Sequence, residues 1–273
     1  MQKRFYRAGA VSEEGRTVCN DWWCLHEPDN AVRGMNIQAA LHMLYPPRCL
    51  CCGLSVESDF GLCGPCWKDT YFIDGLVCDR CGAPLPGSSN KAVLCDECLK
   101  ITRPWDHGRA ALLYTANGRK MVLGLKHGDR LDIVQTAARW MVKRAHGIVK
   151  PGMLVAPVPL HWSRLLKKRF NQSAELGKHV SHELDLEWCP DLFVRKRRTP
   201  MLEGKGRDER FATLENALFV RQRHRRRIEG RSVLIIDDVL TTGATLGATT
   251  EAARLAGAVE VSVLVLARVA KEV

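Results

Sequence analysis

Eight cysteines stand in four CxxC pairs, Cys49/Cys52, Cys63/Cys66, Cys78/Cys81 and Cys95/Cys98, separated by ten, eleven and thirteen residues. A CxxC turn aims two thiolates at one metal, and two such turns complete a tetrahedral four-sulfur site. Eight ligands make two closed structural Zn²⁺ sites, with no open coordination position for a substrate. The first two pairs are expected to share one zinc and the last two the other; pairing the first knuckle with the third is the alternative. The spacing does not follow ferredoxin iron–sulfur patterns. Cys51 and Cys189 read as bystanders, and the four-residue gap between Cys19 and Cys24 is wrong for a knuckle.

A second constellation lies near the C-terminus in VLIIDDVLTTGAT, Val233 to Thr245. Four apolar residues form a buried strand ending in Asp237 and Asp238. The loop Thr241-Thr242-Gly243-Ala244-Thr245 then opens a helix. In open α/β sheets ligands bind at the carboxyl ends of strands, where this loop falls. Free backbone N–H groups at a helix start attract phosphate, and threonine hydroxyls add donors. Gly243 lets the backbone come close. Adjacent carboxylates can hold ribose hydroxyls, directly or through Mg²⁺, an ion that takes oxygen ligands. The GxxxxGK[ST] and GxGxxG phosphate loops are both absent. The thirteen residues resemble the 5-phosphoribosyl-1-pyrophosphate (PRPP) motif of type I phosphoribosyltransferases. That resemblance implies cleavage at ribose carbon 1 through an oxocarbenium-like state, with Asp237 and Asp238 as catalytic carboxylates near the sugar and Thr241 to Thr245 on the 5′-phosphate.

These residues need elements to hold them. From Gly152 onward the chain alternates apolar strands (MLVAPVPL, SVLIIDDV, VEVSVLVLARV) with amphipathic helices (AELGKHVSHEL, ATLGATTEAARLAG). Buried β-branched runs between helices predict a parallel sheet covered on both faces. Gly257 is placed to stop the last helix. Before this, GRAALLYTA reads as a strand, with helical stretches around LGLKHGD and RLDIVQTAARWMVKRAHG. Met35 begins a helical pattern ended by Pro46-Pro47 and reads as the natural start of the chain. The expected organisation is an N-terminal extension of little order at 1–34, a double zinc ribbon at 35–104, and a phosphoribosyltransferase-fold domain at 105–273.

Hydrophobic residues make up 46% of the 273, enough for a packed core rather than a disordered chain. The N-terminus lacks the apolar run of a secretory signal and no segment is long enough to cross a bilayer, so a cytoplasmic protein without membrane insertion is expected. The net charge of +11 is uneven. Between Arg195 and Arg231 thirteen Lys/Arg face five Asp/Glu. That stretch reads as a solvated surface loop, an anion-facing lid over the site, or a nucleic-acid patch. Trp67 and Trp105 read as core or zinc-module packing, and His127, His161, His179 and His182 as isolated.

Taken in order, these parts resemble the ComF family over residues 35–273. LYPPRCLCCG and LCGPCW are similar to the double zinc ribbon that opens those proteins. LKHGDR is similar to a segment in which Lys126 holds the family's lysine position, and PVPLHWSRLLKKRFNQSAELG is close to a stretch matched at Arg169, Phe170, Asn171 and Gln172. The resemblance implies PRPP contacts from Lys126, Arg169, Asn171 and Gln172, a pyrophosphate-side loop after Val158-Pro159, and Mg²⁺ accompanying PRPP. It also implies a role in uptake or processing of single-stranded DNA during natural competence or recombination, beside competence or recombination proteins. The chain departs from the family at Leu202 and Thr213, where Gln and Asn are usual. Arg169 to Gln172 can also be read as a helix start with Asn171 capping. Two readings follow: a PRPP-dependent phosphoribosyltransferase or PRPP hydrolase of nucleotide metabolism, acceptor unknown, or a PRPP-binding protein of DNA processing.

Overall fold

The computed structural model describes residues 46–57, 61–128, 130–161, 170–196, 209 and 217–270. The extension at 1–34, the helix beginning at Met35, Arg169, Leu202 and Thr213 lie outside these residues. The described chain belongs to one compact unit, Pro46–Val273.

Five parallel strands form the central sheet in the order β1-β7-β6-β2-β3. They are β1 (His107–Leu113), β2 (Leu154–Pro157), β3 (Glu187–Trp188), β6 (Ser232–Leu240) and β7 (Glu260–Arg268). A separate antiparallel pair joins β4 (Phe193–Arg195) to β5 (Leu218–Val220). Side chains alternate across each strand, and both faces are apolar. Leu154, Ala156, Val233, Ile235, Val261 and Val263 build one core; Val155, Leu234, Ile236, Leu264 and Leu266 build the other. Helices cover both, as a parallel sheet requires.

The helices divide cleanly. Those after β1, α3 (Ala116–His127) and α4 (Asp132–Arg144), together with α5 (Gln172–Glu183) after β2, lie on the second core. The helix after β6, α7 (Ala244–Leu255), lies on the first. The connection from β2 therefore leaves toward β3, and that from β6 leaves toward β7. Between these parallel neighbours the connections depart in opposite senses across the sheet, and such a switch point opens a crevice at the carboxyl ends of the strands.

The cysteine module seals the edge of β1. Ile73 N donates to Ala111 O (2.9 Å), Leu113 N to Tyr71 O (2.9 Å) and Gly108 N to Asp79 O (2.9 Å). Gly82 (φ +67°) presses against this strand so closely that a Cβ would stand 2.8 Å from Ala110 N. An open edge would invite pairing with another chain, and the ribbon occupies it. Its two short helices are α1 (Gly64–Lys68) and α2 (Asp96–Lys100).

The other expected elements appear in the expected order, with one difference at the site. β6 does not end at the two acids but runs on to Leu240, because Val239 and Leu240 pair with Ala267 and Arg268 of β7. The basic stretch also differs from a single lid. Its described part forms β4, β5, a 3-10 turn (Gln222–His224) and α6 (Arg225–Ile228). There Arg227 and Arg231 pair with Glu187, and Arg221 and Arg223 with Asp191. Residues 197–208 and 210–216 lie outside the described chain. No helix among the described residues is long and apolar enough to cross a membrane.

Candidate anion site and two four-cysteine clusters

The four pairs converge as two groups, Cys49/Cys52/Cys63/Cys66 and Cys78/Cys81/Cys95/Cys98, each with its sulfurs within 4.8 Å of one another. Neighbouring pairs thus share a cluster. Zn–S bonds of about 2.3 Å place tetrahedral sulfurs about 3.8 Å apart; Cys52 and Cys63 stand at 3.6 Å, as do Cys81 and Cys95. One thiol in each group already favours the thiolate. Burial would raise Cys49, but the backbone N–H groups of Cys52, Cys63 and Cys51 outweigh it and bring the pKa down to about 6. A hydrogen bond from Cys81 brings Cys78 to about 4 despite burial. Both donor sets fit closed structural zinc. Cys51 points away into the core, where burial above all pushes its thiol up to about 11. Trp67 differs from a core residue: it touches Phe72 (4.6 Å between centroids) yet remains 56% exposed.

A third grouping, Cys189, Asp191 and His224, is crowded by guanidinium groups. Arg223 pairs with Asp191, and Arg227 lies 3.5 Å from Cys189 Sγ and 3.4 Å from His224 Nδ1. Those cations stand where an ion would have to enter.

At the switch point, β6 delivers Asp237 and Asp238. Lys126, in the last turn of α3, reaches Asp238 with Nζ 3.2 Å from Oδ1. Burial opposes the charge on Lys126, but Asp238 and Asp237 outweigh it and raise its pKa. Asp237 is desolvated and also faces the charge of Asp238; together these raise its pKa to about 7. Two hydrogen bonds to its Oδ1 only partly offset this: Ser173 Oγ donates at 2.8 Å and Asp238 N at 2.9 Å. Two carboxylates whose joint ionisation is disfavoured are a fitting place for a divalent cation with oxygen ligands.

Two helix N-termini flank the acids, and they differ. Asn171 caps α5: its side-chain oxygen accepts from Ser173 N (3.1 Å) and its amide donates to Val158 O (2.9 Å). Gln172 is buried and donates to Lys126 O (3.5 Å). Both side chains are therefore committed to backbone, Asn171 holding the start of the loop after β2 and Gln172 the end of α3. The other helix, α7, has Gly243 at its N-cap (φ +85°), which offers no side chain, and Thr242 Oγ1 accepts from Ala244 N at 3.4 Å. Its first-turn N–H groups follow a loop in which Thr241 is exposed and Thr242 and Thr245 are half-buried. The structure thus brings together Lys126, Asn171, Gln172, Asp237 and Asp238, with Thr241 to Thr245 continuing directly from the same strand. Sequence reasoning missed Ser173, although it directly follows the quoted Asn171-Gln172. His161 is not a surface residue, being 5% exposed and bridged to Arg195.

Residues 40–100 match the double zinc ribbon domain family, and residues 171–272 the phosphoribosyl transferase domain family. DNA utilization protein YhgH of Escherichia coli K12 is 27% identical over 230 residues, covering 82% of this chain and 97% of that protein. Its namesake in Salmonella typhimurium is 29% identical over the same shares. Competence protein F of Haemophilus influenzae is 29% identical over 229 residues, covering 81% of this chain and 96% of its own. These matches bear out the ComF resemblance: the chain carries a double zinc ribbon followed by a phosphoribosyltransferase-fold domain, and its homologues align with it over four-fifths of its length.

Proposed function

We propose that the crevice between β2 and β6 binds PRPP with Mg²⁺. One observation carries this reading: a desolvated acid pair, held by Lys126 and Ser173, leads within one strand into the N-terminus of α7, where Gly243 offers no capping side chain and Thr242 Oγ1 reaches just the Ala244 N–H, at 3.4 Å. In this reading Thr241 to Thr245 and the first N–H groups of α7 take the 5′-phosphate. Asp237 and Asp238 hold the ribose hydroxyls and would hold Mg²⁺, which supplies charge neutralisation at the pyrophosphate when bound. Lys126 leaves Asp238 for the pyrophosphate. Asn171 acts by positioning the loop after β2 and Gln172 by holding the turn of α3 that carries Lys126, and Arg169 lies beside them in sequence. Any transfer or hydrolysis would draw on these same groups, the carboxylates stabilising charge at ribose carbon 1. Residues 35–104 are the zinc ribbon in this reading and 105–273 the PRPP-binding domain. Titration calorimetry with PRPP and Mg²⁺ tests it. Asp237→Ala and Asp238→Ala should each abolish a measurable heat; unchanged binding in both would refute the assignment.

A second reading, association with single-stranded DNA, is supported by the relatives' names and by one surface. Phe219 is 37% exposed, Lys196 Nζ stands 4.7 Å over its ring, and Arg221, Arg223 and Arg225 share with them a cavity of about 630 Å³. An exposed ring among guanidinium groups suits base stacking beside phosphate contacts. Phe219→Ala should weaken binding of a labelled oligonucleotide, and rising salt should weaken it further. Binding insensitive to both would remove this surface from consideration.

A further inference from the structure

Arg103 lies 139 residues from Thr242 in sequence and touches it in the fold. It is 3% exposed and sits between the last knuckle and β1. One terminal nitrogen donates to Thr242 O at 2.6 Å; the other donates to Glu97 Oε1 at 2.8 Å. Glu97 stands inside the fourth knuckle, between Cys95 and Cys98. Its other oxygen takes Arg268 at 3.4 Å, and Arg268 donates to Cys81 O at 3.0 Å. Trp105, fully buried, lies beneath the Arg103 guanidinium at 5.6 Å. Its ring edge would stand 2.7 Å from any Cβ at position 243.

The second cluster is therefore tied to the phosphate loop by polar links from the half-buried Glu97 through the buried Arg103. The Thr242 carbonyl belongs to the peptide that sets Gly243, and Gly243 sets the direction of the first N–H groups of α7. A zinc ion with four thiolates carries two negative charges. With Glu97 they face Arg103 and Arg268, which are almost fully buried and so poorly served by water. Removing the zinc would leave those cations with less to hold them, and Arg103 would no longer be fixed against Thr242.

Resting on the PRPP reading above, we propose that the second cluster and the phosphate loop form one coupled unit, with Arg103 the positioning residue between them. Zinc on Cys78/Cys81/Cys95/Cys98 then sets the affinity of the loop for the 5′-phosphate. By linkage, an occupied loop tightens the hold on that zinc by the same factor.

The test uses the full chain with both zincs bound, and reads two quantities. PRPP affinity in Mg²⁺ is measured by calorimetry, and the affinity of each zinc by competition with a chromophoric chelator, with and without saturating PRPP. Asp238→Asn, expected not to bind PRPP, corrects for zinc taken up by the pyrophosphate itself. In the wild type, PRPP should tighten one of the two zincs at least several-fold and leave the other unchanged. Arg103→Lys keeps the charge but cannot fork between Thr242 and Glu97. It should keep two zincs, lose about tenfold in PRPP affinity, and lose the effect of PRPP on zinc. Full PRPP affinity in Arg103→Lys, or zinc affinities indifferent to PRPP in the wild type, would overturn the coupling. Should the variant not fold, the wild-type linkage decides alone. A wild type that binds both zincs but takes up no PRPP would instead overturn the reading of the site, and the coupling with it.

Discussion

The two four-cysteine clusters are alike in ligands and opposite in surroundings. The first packs on the core beneath α3 and α4, with Cys52 exposed and Cys63 and Cys66 half-buried. Its links run to α3 and to the turn after it: Asn117 donates to Cys66 O at 2.9 Å and Arg130 to Leu50 O at 3.1 Å. The second packs on the other face with α7; Cys78 and Cys81 are fully buried, and Arg103, Arg268 and Trp105 surround it. One cluster thus braces the helix that carries Lys126, and the other braces the loop that carries Thr242 and Gly243. Identical chemistry serves two different supports because burial and neighbours, not ligand set, decide what a structural metal holds in place.

That contrast is best broken by removing one ligand from each side. Cys98→Ser should cost more than about 4 kcal/mol, since it opens a metal site inside the core and leaves two buried guanidinium groups poorly paired. Urea unfolding of the zinc-loaded chain would show this as a large fall in midpoint. Gly243→Ala comes next, at about 2 kcal/mol, because the residue sits at φ +85° with Trp105 and Arg103 against the missing Cβ. Its near-ultraviolet circular dichroism should change with Trp105 while far-ultraviolet signal persists. Cys52→Ser should lose one zinc per chain yet cost only about 1.5 kcal/mol, as the lost ligand is itself exposed. Equal losses for Cys98→Ser and Cys52→Ser would remove the asymmetry.

The smallest effect concerns the site that both clusters flank. With its pKa raised to about 7, Asp237 keeps a proton in the folded chain that the unfolded chain releases near pH 4. Its cost to stability is absent below about pH 4 and complete above about pH 7, so this contribution falls as pH rises across that window. Asp237→Asn should therefore be about 1 kcal/mol more stable than the wild type at pH 8, and no more stable at pH 4, in thermal unfolding without ligand. A gain of equal size at both values would show that ionisation is not the cause.

Much of this molecule was legible in the sequence. Cysteine spacing announced the two clusters, because a CxxC turn is a local geometry. The strand-loop-helix at Val233 to Thr245 was equally local. Asn171 was readable in two ways, and its hydrogen bonds to Ser173 and Val158 show it as the cap of α5. Other features depend on contacts distant in the chain. Arg103 and Thr242 meet only because the ribbon lies along β1 and β1 lies beside β7, and no pattern near Arg103 signals this. The basic stretch depends on distant contacts too: Glu187, outside the window, pairs with both Arg227 and Arg231 and offsets part of its charge.

Hydrogen exchange of the zinc-loaded chain, with and without PRPP and Mg²⁺, reads the phosphate loop and the second cluster together. Slowed exchange is expected at Asp238 to Gly247, where β6 gives way to α7, with Glu97 to Trp105 slowed alongside and the Cys49 to Cys66 module unchanged. Exchange unaltered at Asp238 to Gly247 under saturating PRPP would contradict PRPP binding at this loop.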